Sequence, residues 1–202
     1  MNRTTIIQFI IIILGIIIIY YVSTYNKNNN NKGKTIYVIS EPDNKKYLVQ
    51  DLDDKENAAN LLSIVYQRIF LMKKYLCENV DKYPEYKQYI KQFCDRINKL
   101  VLQENSPTGK YTSYTVNKGE EIALCLRSKK TTRLHDINII MYVTIHELSH
   151  VACPDLDHTE KFTKIFIFFL NIAIMLGLYV YANYQENPIE YCGLPIRENL
   201  LK

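Results

Sequence analysis

No CxxC pair occurs among the 202 residues, so neither a zinc knuckle nor a thioredoxin-like redox pair is written into this chain. The cysteines are instead scattered and odd in number, at Cys77, Cys94, Cys125, Cys153 and Cys192, which predicts reduced thiols facing the cytosol. Strong charge of either sign is missing too. A formal net charge of +4 is too weak to demand a nucleic-acid partner. No internal repeat is present, which sets aside solenoid architectures. Histidine is scarce, with four in the whole chain, yet three of the four fall within residues 143–160. What remains is globular in balance, 48% hydrophobic and 23% charged. The length suits one domain of ordinary size plus an appendage, with a core that needs no disulfides.

The appendage is N-terminal. Residues 5–22 read TIIQFIIIILGIIIIYYV, long enough as a helix to cross a hydrocarbon layer of about 30 Å. Gln8 is its one strongly polar side chain, and the summed insertion free energy of the apolar residues outweighs it. The following Ser23-Thr24-Tyr25-Asn26 lacks a small-x-small cleavage site, so an anchor over residues 1–24 is expected rather than a signal peptide. Residues 25–34, rich in Asn and Lys, predict a solvated linker. Lys27, Lys32 and Lys34 follow the anchor and Arg3 precedes it, which favours a single-pass protein with residues 35–202 as one cytosolic domain.

Within that domain, residues 35–40 and 46–50 predict two strands around Pro42-Asp43-Asn44. Ala58, Leu61, Leu62, Val65, Ile69, Met72 and Leu76 then recur at helical spacing, as do Tyr86, Ile90, Phe93, Ile97 and Leu100. Residues 111–116 and 121–127 form a predicted β-hairpin around Asn117-Lys118-Gly119. After the basic run 127–133, Asp136 can cap a helix with the body INIIMYVTIHELSHVA, which Pro154 ends. Helices with a short antiparallel sheet make the expected class α+β.

His146-Glu147-Leu148-Ser149-His150 is an H-E-x-x-H sequence on that helix. Histidines four residues apart lie on one helical face, so both Nε2 atoms can reach one Zn²⁺ at about 2.0–2.1 Å. Glu147 beside them is placed to take a proton from water activated by the metal. Cys153, Asp155, Asp157 and His158 compete for the third position. His158 is preferred, because Pro154 lets the loop swing back and Asp157 or Thr159 can cap the next helix. Cys153 then reads as a buried thiol, and Asp155 or Asp157 as a cap or an imidazole-orienting partner. In an alternative scheme Glu186 or Glu190 is the ligand. His135 is expected at the surface.

The run HELSHVACPDLDHTEKF resembles the WLM and SprT-like metallopeptidases, relatives of the Spartan-type proteases, and is most similar to the WLM-like proteins of large cytoplasmic DNA viruses. The shared pattern falls on His146, Glu147, His150, His158 and Phe162. YTVNKGEEIALCLR and the late NPIEYCGLPI (187–196) are also similar to that family. Seven residues separate His150 from His158, two more than the usual WLM spacing, and Thr163 stands where many members have tryptophan. The resemblance implies a zincin-like peptidase that uses zinc on a protein or peptide substrate, with the 111–127 hairpin as an edge that pairs with extended chains. Related proteases act on proteins crosslinked to DNA. Arg127, Lys129, Lys130 and Arg133 could contact phosphates, but a solvated basic loop and a membrane anchor make nucleic acid a partner that is not favoured.

Two rival readings stand beside the peptidase. The apolar run 165–182 could be a second membrane span of a membrane-embedded peptidase, although a core helix is preferred. Outside enzymology, the chain could be a structural or assembly protein of a viral membrane with a non-catalytic metal site, a reading that the intact Glu147 disfavours. If the protein is viral, the membrane would be that of host or virion.

Overall fold

The computed structural model describes residues 10–22, 33–106 and 111–201. Strands β1 (Thr35–Ile39) and β2 (Lys46–Gln50) pair antiparallel, Thr35 opposite Gln50, as the two short runs predict. Tyr47 and Val49 alternate inward from β2 and are buried, the period-two signature of a strand with one covered face. They meet α1 (Lys55–Glu78), whose buried Leu62, Val65, Ile69, Met72 and Leu76 form the stripe expected of a helix on a core. Helix α2 (Lys87–Arg96) adds Ile90 and Phe93 to the same core.

A second sheet has the order β3-β5-β4, with β3 Val101–Glu104, β4 Tyr114–Val116 and β5 Glu121–Leu124. The β4-β5 hairpin matches the expectation, whereas β3, parallel to β5, had no local signal. Helix α3 (Ile137–Ala152) starts where Asp136 accepts from the Asn138 N–H at 2.8 Å and ends two residues before Pro154, with Cys153 between. Helix α4 (Glu160–Met175) is capped by Thr159, which accepts from the Phe162 N–H. A last hairpin, β6 (Ile189–Tyr191) and β7 (Leu194–Ile196), closes the described chain. The class is α+β.

Two expectations are corrected here and one rival reading is set aside. Among the described residues no helix is long and apolar enough to cross a membrane, which overturns the single-pass, cytosol-facing placement. Of the expected anchor, residues 10–22 are described, and they are helical. Residues 5–9, and 25–32 of the expected linker, lie outside the described residues. The rival reading of 165–182 as a second span is set aside, and the preferred core helix is what forms. It ends at Met175, and Ile165, Phe166, Phe169 and Ala173 are buried in the core. The cysteines, lastly, are not all thiols. Cys77–Cys94 joins α1 to α2 and Cys125–Cys192 joins the end of β5 to the β6-β7 hairpin, with Cα separations of 6.1 and 6.0 Å that suit a bridge. Among the described residues Cys153 alone is free, and it is buried as expected.

The β4-β5 turn locks the sheet to the C-terminal end of α3. Asn117, Lys118 and Gly119 all have positive φ. Lys118 Nζ donates to the carbonyls of Cys153 (3.0 Å) and Pro154 (2.7 Å), and Arg96 donates to that of Val151 at 2.8 Å. These cations satisfy carbonyls that a helix end leaves without partners. Gly119 has φ +120, and a Cβ there would meet Val151 Cγ1 at 2.9 Å. Gly119→Ala is therefore expected to destabilise the protein by about 1–3 kcal/mol, read as a lowered midpoint in urea denaturation.

Candidate metal centre

Helix periodicity puts His146 and His150 one turn apart on α3, with ring centroids 5.0 Å apart. The loop after Pro154 turns back and brings His158 to both. Its Nε2 lies 2.9 Å from that of His146 and 3.2 Å from that of His150. The loop is held in this course by Asp155, which accepts from Thr159 Oγ1 and Lys161 Nζ, both at 2.8 Å. All three histidines thus present a ligand atom within 4.8 Å of one another.

That arrangement fits a tetrahedral cation. Bonds of 2.0–2.1 Å at the tetrahedral angle place ligand nitrogens about 3.3 Å apart, close to the observed spacings. Three imidazoles cannot all satisfy one another as donors, since a neutral ring carries one N–H. Burial, then the neighbouring His150 and His158, pushes His146 down to about 3. Burial, then His158 and Lys118, pushes His150 down to about 4. Both rings are thereby held neutral, the form that binds metal.

Phe162, the first inward residue of α4, packs against all three rings. It stacks on His150 at 4.2 Å and meets His146 and His158 edge-on at 5.0 and 4.8 Å. Phe166 adds a contact to His146 at 5.2 Å. The back of the cluster is therefore apolar, which excludes water from that side.

Glu147 is buried beside His146, and that burial pushes its carboxyl up to about 7, opposed by a hydrogen bond from Thr115. Thr115 Oγ1 donates to Glu147 Oε2 at 2.8 Å from strand β4. This contact had no counterpart in the sequence analysis. Nor did Tyr191, buried on β6, whose hydroxyl lies 2.8 Å from Ser113 Oγ.

The alternative ligands are elsewhere. Cys153 is buried at the end of α3. Asp155 is engaged with Thr159 and Lys161. Glu190 holds the Gly193 N–H in the last hairpin, and Glu186 is exposed. His135 is not a surface residue as expected. Its ring stacks on Tyr191 at 5.1 Å and its Nε2 accepts from the Cys192 N–H at 3.2 Å, and burial holds its pKa below the usual value. Arg127 is likewise withdrawn from solvent, paired with Glu104 and Asp54, so it is not free for a phosphate.

No protein-family model matches the chain. It is 58% identical over 171 residues to the uncharacterized protein R325 of Acanthamoeba polyphaga mimivirus, covering 85% of this chain and 87% of that protein. The chain belongs to the R325 family. The uncharacterized protein 136R of Invertebrate iridescent virus 6 is 30% identical over 134 residues, 54% of this chain and 75% of that protein. The R325 family is thus viral in these members, in keeping with the expected origin. The crystal structure of Wss1 from Saccharomyces cerevisiae aligns with a TM-score of 0.46 and 22% identity over 64% of this chain and 89% of that chain.

Proposed function

We propose that residues 35–202 form a zincin-like, WLM-related metallopeptidase domain that hydrolyses peptide bonds in protein or peptide substrates. His146, His150 and His158 hold the metal, and Glu147 is the general base. The observation that carries this reading is the convergence of the three Nε2 atoms, 2.9 and 3.2 Å apart, beside a buried carboxylate. Three protein ligands leave the fourth position of a tetrahedral zinc for water or substrate, as catalytic sites require. A zinc held there supplies a Lewis acid that polarises the scissile carbonyl and acidifies water.

The remaining steps belong to the chain. Thr115 fixes Oε2 of Glu147, which leaves Oε1 to accept a proton from the attacking water and then deliver it to the leaving amine. The carboxyl's burial suits that double duty, since a base poised near neutrality both takes and returns a proton. Strand β4 lies at the edge of its sheet and carries Thr115, so an extended substrate adding to that edge would pass Glu147.

Zinc titration tests the ligand set. Wild type is expected to bind one zinc per chain and to cleave an unfolded protein, and His158→Ala to lose zinc affinity by more than the roughly 100-fold that removing an outer-shell partner costs. Unchanged affinity in His158→Ala would remove His158 from the site.

A further inference from the structure

The cleft continues on both flanks of Glu147, and the two flanks differ in chemistry. A cavity of about 520 Å³ on one flank is lined by Ser113, Thr115, Lys118, Asp155 and Asp157 and also by the exposed Leu156, a mixed trough with the more polar character. A cavity of about 500 Å³ on the other has walls of Tyr142 and Val143 from α3 and Leu194, Pro195 and Ile196 from β7, with Arg197 and Glu198 after them. Both reach His146 and Glu147. Leu194, part of the β7 wall, is 60% exposed and so can be reached by an incoming side chain.

The apolar wall is built before any ligand arrives. The Cys125–Cys192 bridge ties the β6-β7 hairpin to the end of β5. Beyond β7, Glu198 accepts from the Tyr142 hydroxyl at 2.8 Å and pins the chain back onto α3. Preorganisation of this kind lowers the ordering cost of binding. A cavity of this size is within the range of small ligand sites and admits one large side chain with room at the rim.

The geometry points to the β7-walled cavity as the specificity pocket of this site, which receives one bulky apolar side chain, Leu, Met, Phe or Tyr, from an extended polypeptide beside the bond that is cut. This inference rests on the peptidase reading and names its substrate class.

The test uses the zinc-loaded full chain on a denatured protein, with cut sites mapped by mass spectrometry. Expected is enrichment of large apolar residues at one fixed position next to the cut. Paired peptides with Leu or Gly at that position should differ by about tenfold or more in kcat/KM. The same peptides, titrated calorimetrically into Glu147→Gln, should show the Leu peptide binding more tightly. Leu194→Asp, at an exposed position that packing does not constrain, should reduce the Leu preference several-fold with zinc content unchanged. Cleavage without apolar bias on either side of the cut, or an unaltered bias in Leu194→Asp, overturns the pocket assignment and leaves the peptidase reading standing. No cleavage by the zinc-loaded wild type, and no discrimination by Glu147→Gln, overturns both.

Discussion

Glu147→Gln is expected to keep its zinc and lose peptide turnover by about 10²–10⁴-fold, the usual contribution of a positioned general base. The amide has the shape of the carboxyl, and its oxygen can still accept from Thr115 Oγ1, which now stands 2.8 Å from Glu147 Oε2. Position and packing are therefore retained, and so are the three imidazole ligands. What disappears is the ability of the side chain to take up a proton. Metal content and steady-state kinetics on the same preparation decide the matter. A purely structural metal site would turn over peptide in neither protein. Equal turnover in both would show that Glu147 is not the base.

Thr115 shows why the candidate metal ligands were more legible in the sequence than the carboxylate's surroundings. His146 and His150 meet because four residues make about one helical turn, and that relation is local. His158 follows from local signals as well. Pro154 ends α3, Thr159 caps α4, and the loop between them is short. Thr115 reaches Glu147 from a strand 32 positions earlier, and its approach depends on how β4 registers against β5 and how that sheet packs on α3. No spacing rule contains that information. Tyr191 and the β6-β7 hairpin are harder still, because three-residue strands offer too few positions for an alternating pattern to show.

The errors have similar physical roots. Scattered cysteines indicated thiols, but a bridge depends on Cα atoms about 6 Å apart, and the partners Cys125 and Cys192 are separated by 67 positions. Strand β3 pairs in parallel with β5, a contact that crosses the intervening hairpin and leaves no mark in Val101–Glu104 themselves. His135 looked like a polar residue ahead of a helix, yet Tyr191 covers it from the far end of the chain.

Arg127 shows the same limit with a larger energetic consequence. In a run of basic residues it read as a solvated loop, but its side chain is 5% exposed. Its Nε donates to Glu104 Oε1 at 2.9 Å, and its Nη1 to both oxygens of Asp54 at 2.6 Å. Glu104, fully buried, also accepts from the Gln50 N–H at 2.8 Å and so joins β2 to β3. Arg127→Met is expected to destabilise the protein by about 3–5 kcal/mol, because it strands a buried carboxylate without its cation. Glu104→Gln/Arg127→Met should recover much of that loss, since the amide still accepts from Gln50 and no charge remains to be buried. The pH dependence has a definite sign. Burial already holds the Glu104 carboxyl above its usual range against the opposing pull of Arg127, and loss of the guanidinium raises it further. A carboxyl with a raised folded pKa favours the native state below its unfolded value and loses that contribution as pH rises through the folded one. The deficit of Arg127→Met should therefore be small near pH 4 and grow toward neutrality, and the double variant should not show that growth. Denaturant unfolding of wild type, single and double variants at about pH 4 and about pH 7 measures both. A deficit independent of pH would mean that Arg127 acts through packing rather than through the charge of Glu104.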